Sequence, residues 1–239
     1  MRPLRRLLTT LHTGLALTRA GVLRIERPDR TVRALLLLKR WGPTPASGYA
    51  ISAMRDPQRA AVHDDRGTIS FRELHEQTNA LARSLRAAGV GQGEGIAILC
   101  RDHADFVKSS VAASKLGATV LLLNTSFAGP QIAEVCERED PRVFIYDEEF
   151  IDLCAAASQG RTAVIAWHDN PPPAAFTTID ALVEAGSRED LAPPADRGRV
   201  VILTSGTTGA PKGASRKQPR SLDPAAAFFS RIPLRAGGT

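Results

Sequence analysis

The sequence predicts an α/β fold with a mostly parallel sheet flanked by helices. Three observations carry this. Near-continuous apolar runs such as Gly95–Cys100, Thr119–Leu123, Val143–Tyr146, Ala163–Trp167 and Val200–Leu203 recur along the chain. Amphipathic stretches at helical spacing alternate with them, and Gly or Pro separates most of the pairs. Strands apolar on both faces are those of a sheet covered on both sides, and strand–helix alternation implies parallel crossovers.

Each element has a local reason. Thr68-Ile69-Ser70-Phe71 is a short β-type run, followed by a helical face of Leu74, Thr78, Leu81 and Leu85 that ends near Gly89. After the Gly95–Cys100 strand, Asp102 is placed to cap a helix through Phe106, Val107 and Val111 to Leu116, closed by Gly117. Thr119–Leu123 is the next strand, with a helical run over Ile132–Arg138. Pro141 precedes the strand Val143–Tyr146, and a helix follows around Phe150–Ala157. Ala163–Trp167 is a strand, Pro171-Pro172-Pro173 a rigid bend, and Ile179–Ala185 a helix. Pro193-Pro194 breaks the chain before the last buried strand, Val200–Leu203.

Length and charge narrow the function classes. The chain has 239 residues, 43% of them hydrophobic and 23% charged, which suits a globular protein with a sizeable core. Its net charge of +6 is unevenly placed. Residues 1–40 carry ten Lys/Arg against two acids, residues 41–196 carry 13 against 22, and residues 197–239 carry eight against one. The body is acidic, so the basic total is not a nucleic-acid signature. Cys100, Cys136 and Cys154 are odd in number and form no CxxC pair. That argues against a disulfide framework or a zinc site, and a reducing cytoplasmic compartment is the simplest reading.

Leu4, Leu7, Leu8, Leu11 and Leu15 recur at helical spacing among Arg2, Arg5, Arg6 and Arg19. This basic amphipathic pattern fits a helix capping the domain, the preferred reading, and also peripheral membrane contact through residues 1–40. Only 12 uncharged residues separate Arg6 from Arg19, too few to span a bilayer, which takes about 20. Polar residues dilute the stretch and no clear cleavage site follows, which disfavours export. Gly42-Pro43-Thr44-Pro45, with Ser47-Gly48, reads as a linker. Residues 1–48 are thus expected to be a helical segment with a linker, and residues 49–239 the α/β body.

The segment that carries chemistry follows the last strand directly: Thr204-Ser205-Gly206-Thr207-Thr208-Gly209-Ala210-Pro211-Lys212-Gly213. Glycines let backbone N–H groups approach a ligand without obstruction from a Cβ. Ser205, Thr207 and Thr208 add hydroxyls and Lys212 a positive charge, a set suited to an oxygen-rich polyanion such as a triphosphate. The Walker pattern places glycine directly before its lysine; here Pro211 does so, and that reading fails.

The segment Leu203–Gly213 resembles the phosphate loop of adenylate-forming enzymes: acyl-CoA synthetases, luciferases and peptide-synthetase adenylation domains. Ile69–Leu74 resembles an early strand-to-helix motif of that family. Leu116-Gly117-Ala118-Thr119-Val120 through Leu123-Asn124-Thr125 is similar to a segment of fatty acyl-CoA synthetases. The resemblance covers roughly residues 50–239. It implies the amino-terminal part of the adenylate-forming fold, with Thr204, Ser205, Gly206, Thr207, Thr208, Gly209 and Lys212 holding the β- and γ-phosphates of ATP with Mg²⁺. In the family a carboxylate, here a fatty acid, attacks the α-phosphorus, and coenzyme A then takes the acyl group.

Other motifs of the family are not found. No aromatic-Gly-x-Thr-Glu segment and no Gly-Asp pair occur, and 26 residues follow Gly213. The expectation is a truncated fatty acyl-CoA synthetase, inactive alone, with no catalytic residue assigned. The alternatives are the amino-terminal half of a split ligase completed by another chain, and a non-enzymatic membrane-surface module. His63, His75, His103 and His168 are dispersed and suggest no metal, and Asp147, Glu148 and Glu149 read as a solvated turn.

Overall fold

The computed structural model describes residues 14, 15, 17, 18, 24, 26–171, 175–204, 212–217, 226, 227, 230 and 231. Residues 1–43 and 219–239 form one compact unit, and Thr44–Gln218 the other.

In the first unit, α1 spans Pro28–Trp41. Pro28 sits in the first turn, where its missing N–H is no loss, and Gly42 closes the helix at φ +68°, its N–H donating to the Leu38 carbonyl at 2.7 Å. Of the leucines of the predicted leading helix only Leu15 falls on described residues, with helical backbone. Leu4, Leu7, Leu8 and Leu11 and Arg2, Arg5, Arg6 and Arg19 lie outside them.

The second unit opens with α2 (Pro45–Arg55), so the expected linker is largely a helix start. Thr44 Oγ1 accepts from the Ser47 amide, and Ser47 Oγ accepts from the Thr44 amide at 3.2 Å. This reciprocal cap, with Pro45 in the first turn, turns a Pro/Ser/Gly stretch into a helix terminus. A two-stranded antiparallel sheet follows, β1 (Ala60–Asp64) with β2 (Gly67–Ser70). The sequence reading contained only the second strand. Helix α3 (Phe71–Ala87) starts at another reciprocal cap: Ser70 Oγ accepts from the Glu73 amide, and the Glu73 carboxylate accepts from the Ser70 amide. Leu74, Thr78, Leu81 and Leu85 all face inward, as their spacing predicts.

The main sheet contains β3 (Gly95–Leu99), β4 (Thr119–Leu122), β5 (Val143–Tyr146), β6 (Thr162–Ile165), β7 (Thr177–Thr178), β8 (Arg199–Thr204) and β9 (Lys212–Lys217). Their order is β7-β6-β5-β3-β4-β8-β9, parallel throughout except for the antiparallel β8–β9 pair. Helix α4 (Ala104–Leu116) links β3 to β4, α5 (Gly129–Glu139) links β4 to β5, and α7 (Ile179–Ala185) follows β7. Between β5 and β6 the expected helix is shorter, a 3₁₀ turn (Glu148–Phe150) running into α6 (Ile151–Cys154). The sequence pattern predicts neither β7 nor β9. The first has two residues, and the polar, basic Lys212–Lys217 shows no apolar pattern.

Alternation along the strands divides the core. Leu99, Leu121, Phe144, Tyr146, Ile165 and Val201 point to one face, where Ile132 and Val135 of α5 and Phe150 and Cys154 meet them. Ile96, Ile98 and Ile145 are buried on the other, where α4 lies against β3 and β4 beside α3.

Two local features correct or extend the sequence reading. Helix α4 is capped by His103, whose Nδ1 accepts from the Asp105 amide at 3.2 Å, and not by Asp102. The helix starts one residue later than an Asp102 cap requires, and the Ala104 amide is satisfied by Asp64 at 2.8 Å. Lys115, on α4, is 1% exposed, and its ammonium donates to Asn79 Oδ1, Thr78 Oγ1 (2.8 Å) and the His75 carbonyl (3.0 Å).

Gly117 adopts φ +68° and ψ +26°, and a Cβ there would lie 2.5 Å from the Asp196 carbonyl oxygen. Gly117→Ala is therefore expected to lower stability by about 2 kcal/mol or more in urea unfolding. Burial pushes Lys115 down to about 7, with Asp190 opposing and Arg83 assisting. The unfolded chain, with Lys near 10.5, binds more protons above pH 7, so stability rises with pH from there. The unfolding free energy should gain about 1 kcal/mol between pH 7 and 8, and Lys115→Met should abolish this gain.

Candidate functional site

The antiparallel pairing of β8 with β9 places Thr204 directly opposite Lys212. The backbone thus brings these two predicted residues together at the two ends of the segment 205–211. Lys212 and Gly213 belong to a strand and not to the loop itself. Ser205, Gly206, Thr207, Thr208 and Gly209 lie outside the described residues. Strand β8 runs parallel to β4, so the loop leaves the sheet at its carboxyl-terminal edge. In open α/β sheets that edge is where ligands bind.

The same edge carries a polar network that sequence reasoning missed. Asp147, directly after β5, is 2% exposed and not part of a solvated turn. Its carboxylate accepts from the Arg101 amide at 2.7 Å, from His103 Nε2 at 2.9 Å and from the Trp167 amide at 3.2 Å. One side chain therefore ties together the segments that follow β3, β5 and β6. Burial raises the Asp147 carboxyl, but His103 and the two amides outweigh it and hold the pKa below the ordinary value. Around this centre the His103 and Trp167 rings lie 5.1 Å apart, and the Arg66 guanidinium sits 4.0 Å from the Trp167 ring centroid. Arg66 also reaches Asp105 at 3.5 Å, and Arg101 makes a bidentate pair with Glu149 at 2.6 and 2.7 Å. The one sequence cue was position: His103 and Asp147 each follow a wholly apolar strand.

Cys100, His103 and Asp147 bring a thiol, an imidazole and a carboxylate within 4.8 Å of one another. The hydrogen bonds decide what this cluster can do. His103 Nδ1 accepts from a backbone amide, so the proton is assigned to Nε2, which donates to Asp147. Neither nitrogen keeps a lone pair for a cation, whereas a metal-bound histidine normally donates from its second nitrogen. Burial, with Asp147 nearby, pushes the Cys100 thiol well up, away from the thiolate that binds metals or attacks electrophiles. The cluster is a structural clamp on the sheet edge. Asp147→Asn would turn an amide donor towards one of the N–H groups that the carboxylate now accepts. It should cost about 2–4 kcal/mol in chemical denaturation, more than a neutral exposed substitution.

A mostly parallel sheet covered by helices matches the amino-terminal part of the adenylate-forming fold. The o-succinylbenzoate coenzyme A synthetase of Bacillus subtilis, solved in complex with AMP, superposes with a TM-score of 0.57 at 24% identity. That match covers 71% of this chain and 41% of the synthetase. Residues 50–232 match the AMP-binding enzyme family, and the chain belongs to it. It is 32% identical over 201 residues to an isonitrile lipopeptide synthase of Mycobacterium tuberculosis, covering 79% of this chain and 7% of that protein. It is also 32% identical over 162 residues to a 2-succinylbenzoate–CoA ligase of Geobacillus kaustophilus, covering 67% of this chain and 30% of the ligase. The chain thus spans under a third of the length of these curated relatives. Among the described residues no helix is long and apolar enough to cross a membrane.

Proposed function

We propose that the chain supplies the phosphate-holding part of an ATP-dependent ligase that activates a carboxylic acid as its acyl-adenylate and passes the acyl group to coenzyme A. The observation that carries this reading is the placement of the Thr204–Lys212 loop. A glycine- and hydroxyl-rich segment, bounded by the pairing of Thr204 with Lys212, follows β8 at the carboxyl-terminal edge of the sheet in a chain of the AMP-binding family. ATP with Mg²⁺ supplies the leaving pyrophosphate when bound. The loop's part is to hold: backbone N–H groups at Gly206 and Gly209 and hydroxyls of Thr204, Ser205, Thr207 and Thr208 receive phosphate oxygens, and Lys212 offsets their charge. Nothing in this set attacks carbon or moves a proton, so its contribution is positioning and electrostatics.

A fatty acid is the favoured acyl donor, supported by the likeness of Leu116–Val120 and Leu123–Thr125 to fatty acyl-CoA synthetases. Gly117 and Asn124 hold the turns of that segment: Gly117 ends α4 in the left-handed region, and Asn124 Oδ1 accepts from the Ser126 amide at 2.9 Å. A further segment, on the same or a second polypeptide, that completes the site belongs to the same proposal, supported by the family motifs not found in this sequence.

Binding of Mg·ATP and of tripolyphosphate, measured calorimetrically, tests the loop. Lys212→Ala should weaken both by about tenfold or more, while Lys217→Ala, at the far end of β9, should not. Equal binding by Lys212→Ala would overturn the assignment. Pyrophosphate exchange into ATP with fatty and aromatic acids is expected to stay at background for the chain alone. Turnover by it would overturn the need for a completing segment.

A further inference from the structure

We propose that α1 seats the protein on an anionic lipid bilayer, lying in the plane of the headgroups. This rests on the helix's own exposure and charge, independently of the reading of the phosphate loop.

The sequence of α1 places Ala34 and Trp41 on one side of the helix, and both are buried. Val32, Leu35 and Leu36 fall on the opposite side at spacings of three and four, and they are 54%, 56% and 59% exposed. Residues three and four apart share a helix face, so these three form one apolar stripe. Cations accompany it: exposed Lys39 continues the stripe one turn beyond Leu35 and Leu36, and exposed Arg33 and Arg40 flank it on one side. Between Arg27 and Trp41 the chain carries Arg27, Arg30, Arg33, Lys39 and Arg40 against Asp29 alone.

An apolar stripe rimmed by lysine and arginine matches the boundary between acyl chains and anionic headgroups. The leucines enter the apolar layer, and the long basic side chains keep their charges at the phosphates. The charge separation in the sequence favours the same orientation: residues 1–40 are strongly basic and the body over 41–196 is acidic, so an anionic surface attracts the first and repels the second. A 14-residue helix is about 21 Å long, too short for a hydrocarbon core of about 30 Å, so it lies on the bilayer and does not span it. A second copy is a poorer occupant, because it would set residues 27–41, with five Lys/Arg and one acid, against another segment of the same net charge.

Co-sedimentation of the full chain with large unilamellar vesicles tests this. One set contains 30% phosphatidylglycerol in phosphatidylcholine and the other phosphatidylcholine alone. Binding is expected to be at least about tenfold stronger to the anionic set and to fall in high salt. Leu35→Glu and Leu36→Glu, both at exposed positions, should each reduce it about tenfold or more with unchanged circular dichroism. Arg33→Glu and Lys39→Glu should each reduce it about fivefold or more. The proposal is overturned if the leucine variants sediment like the parent, since the other basic residues of the chain would then suffice. It is equally overturned if neither vesicle binds the chain and Leu35→Glu instead dissolves a dimer seen by sedimentation equilibrium.

Discussion

Parallel pairing at the centre of the sheet is the constraint from which the rest follows. Strand β3 pairs in parallel with both β4 and β5, so every connection must cross from one end of the sheet to the other. The crossovers place α4 on one face and α5 on the other, and the strands between them are buried on both sides. They also bring the carboxyl ends of β3, β4, β5, β6 and β8 to one edge. Backbone amides there have no further strand to pair with and must be satisfied locally. The Asp147 network meets that demand for three strand ends, and the Thr204–Lys212 loop leaves from the same edge.

Burying polar groups in this architecture has a consistent logic. Asp147 is held ionised because its acceptors are filled by two amides and an imidazole N–H. Lys115 is also fully engaged, yet burial still dominates and lowers its pKa, because two of its acceptors are a neutral hydroxyl and an amide oxygen and the third a carbonyl. The charged partner near Lys115, Asp190, lies on the far side of His75, with which it makes a 2.8 Å hydrogen bond. One site thus stabilises its charge and the other carries the cost of it.

The functional picture has two separable parts. Membership of the AMP-binding family rests on most of the chain, which spans under a third of the curated relatives it matches, and the role proposed for it is confined to holding phosphates. The basic leading segment is outside that logic. Its helix α1 carries an exposed apolar stripe accompanied by lysine and arginine, which is why it is read as a surface for lipid.

The sequence by itself determined the α/β class, most of the central strands, the buried face of α3, and the composition of the segment proposed to hold phosphates. These follow from local patterns: apolar runs, helical spacing, and the glycines and hydroxyls after Leu203. Tertiary structure alone decided three things. Within the Gly42–Gly48 stretch Gly42 closes α1, and Thr44–Gly48 became a helix start because Thr44 and Ser47 cap each other, a reciprocal bond that composition does not reveal. Lys212 became a strand residue opposite Thr204, since polar Lys212–Lys217 forms β9 only by pairing with β8. His103 and Asp147, 44 residues apart, became one buried network. Each is a pairing of groups whose partner is set by backbone geometry or by distance in space, and no periodicity of side chains encodes it.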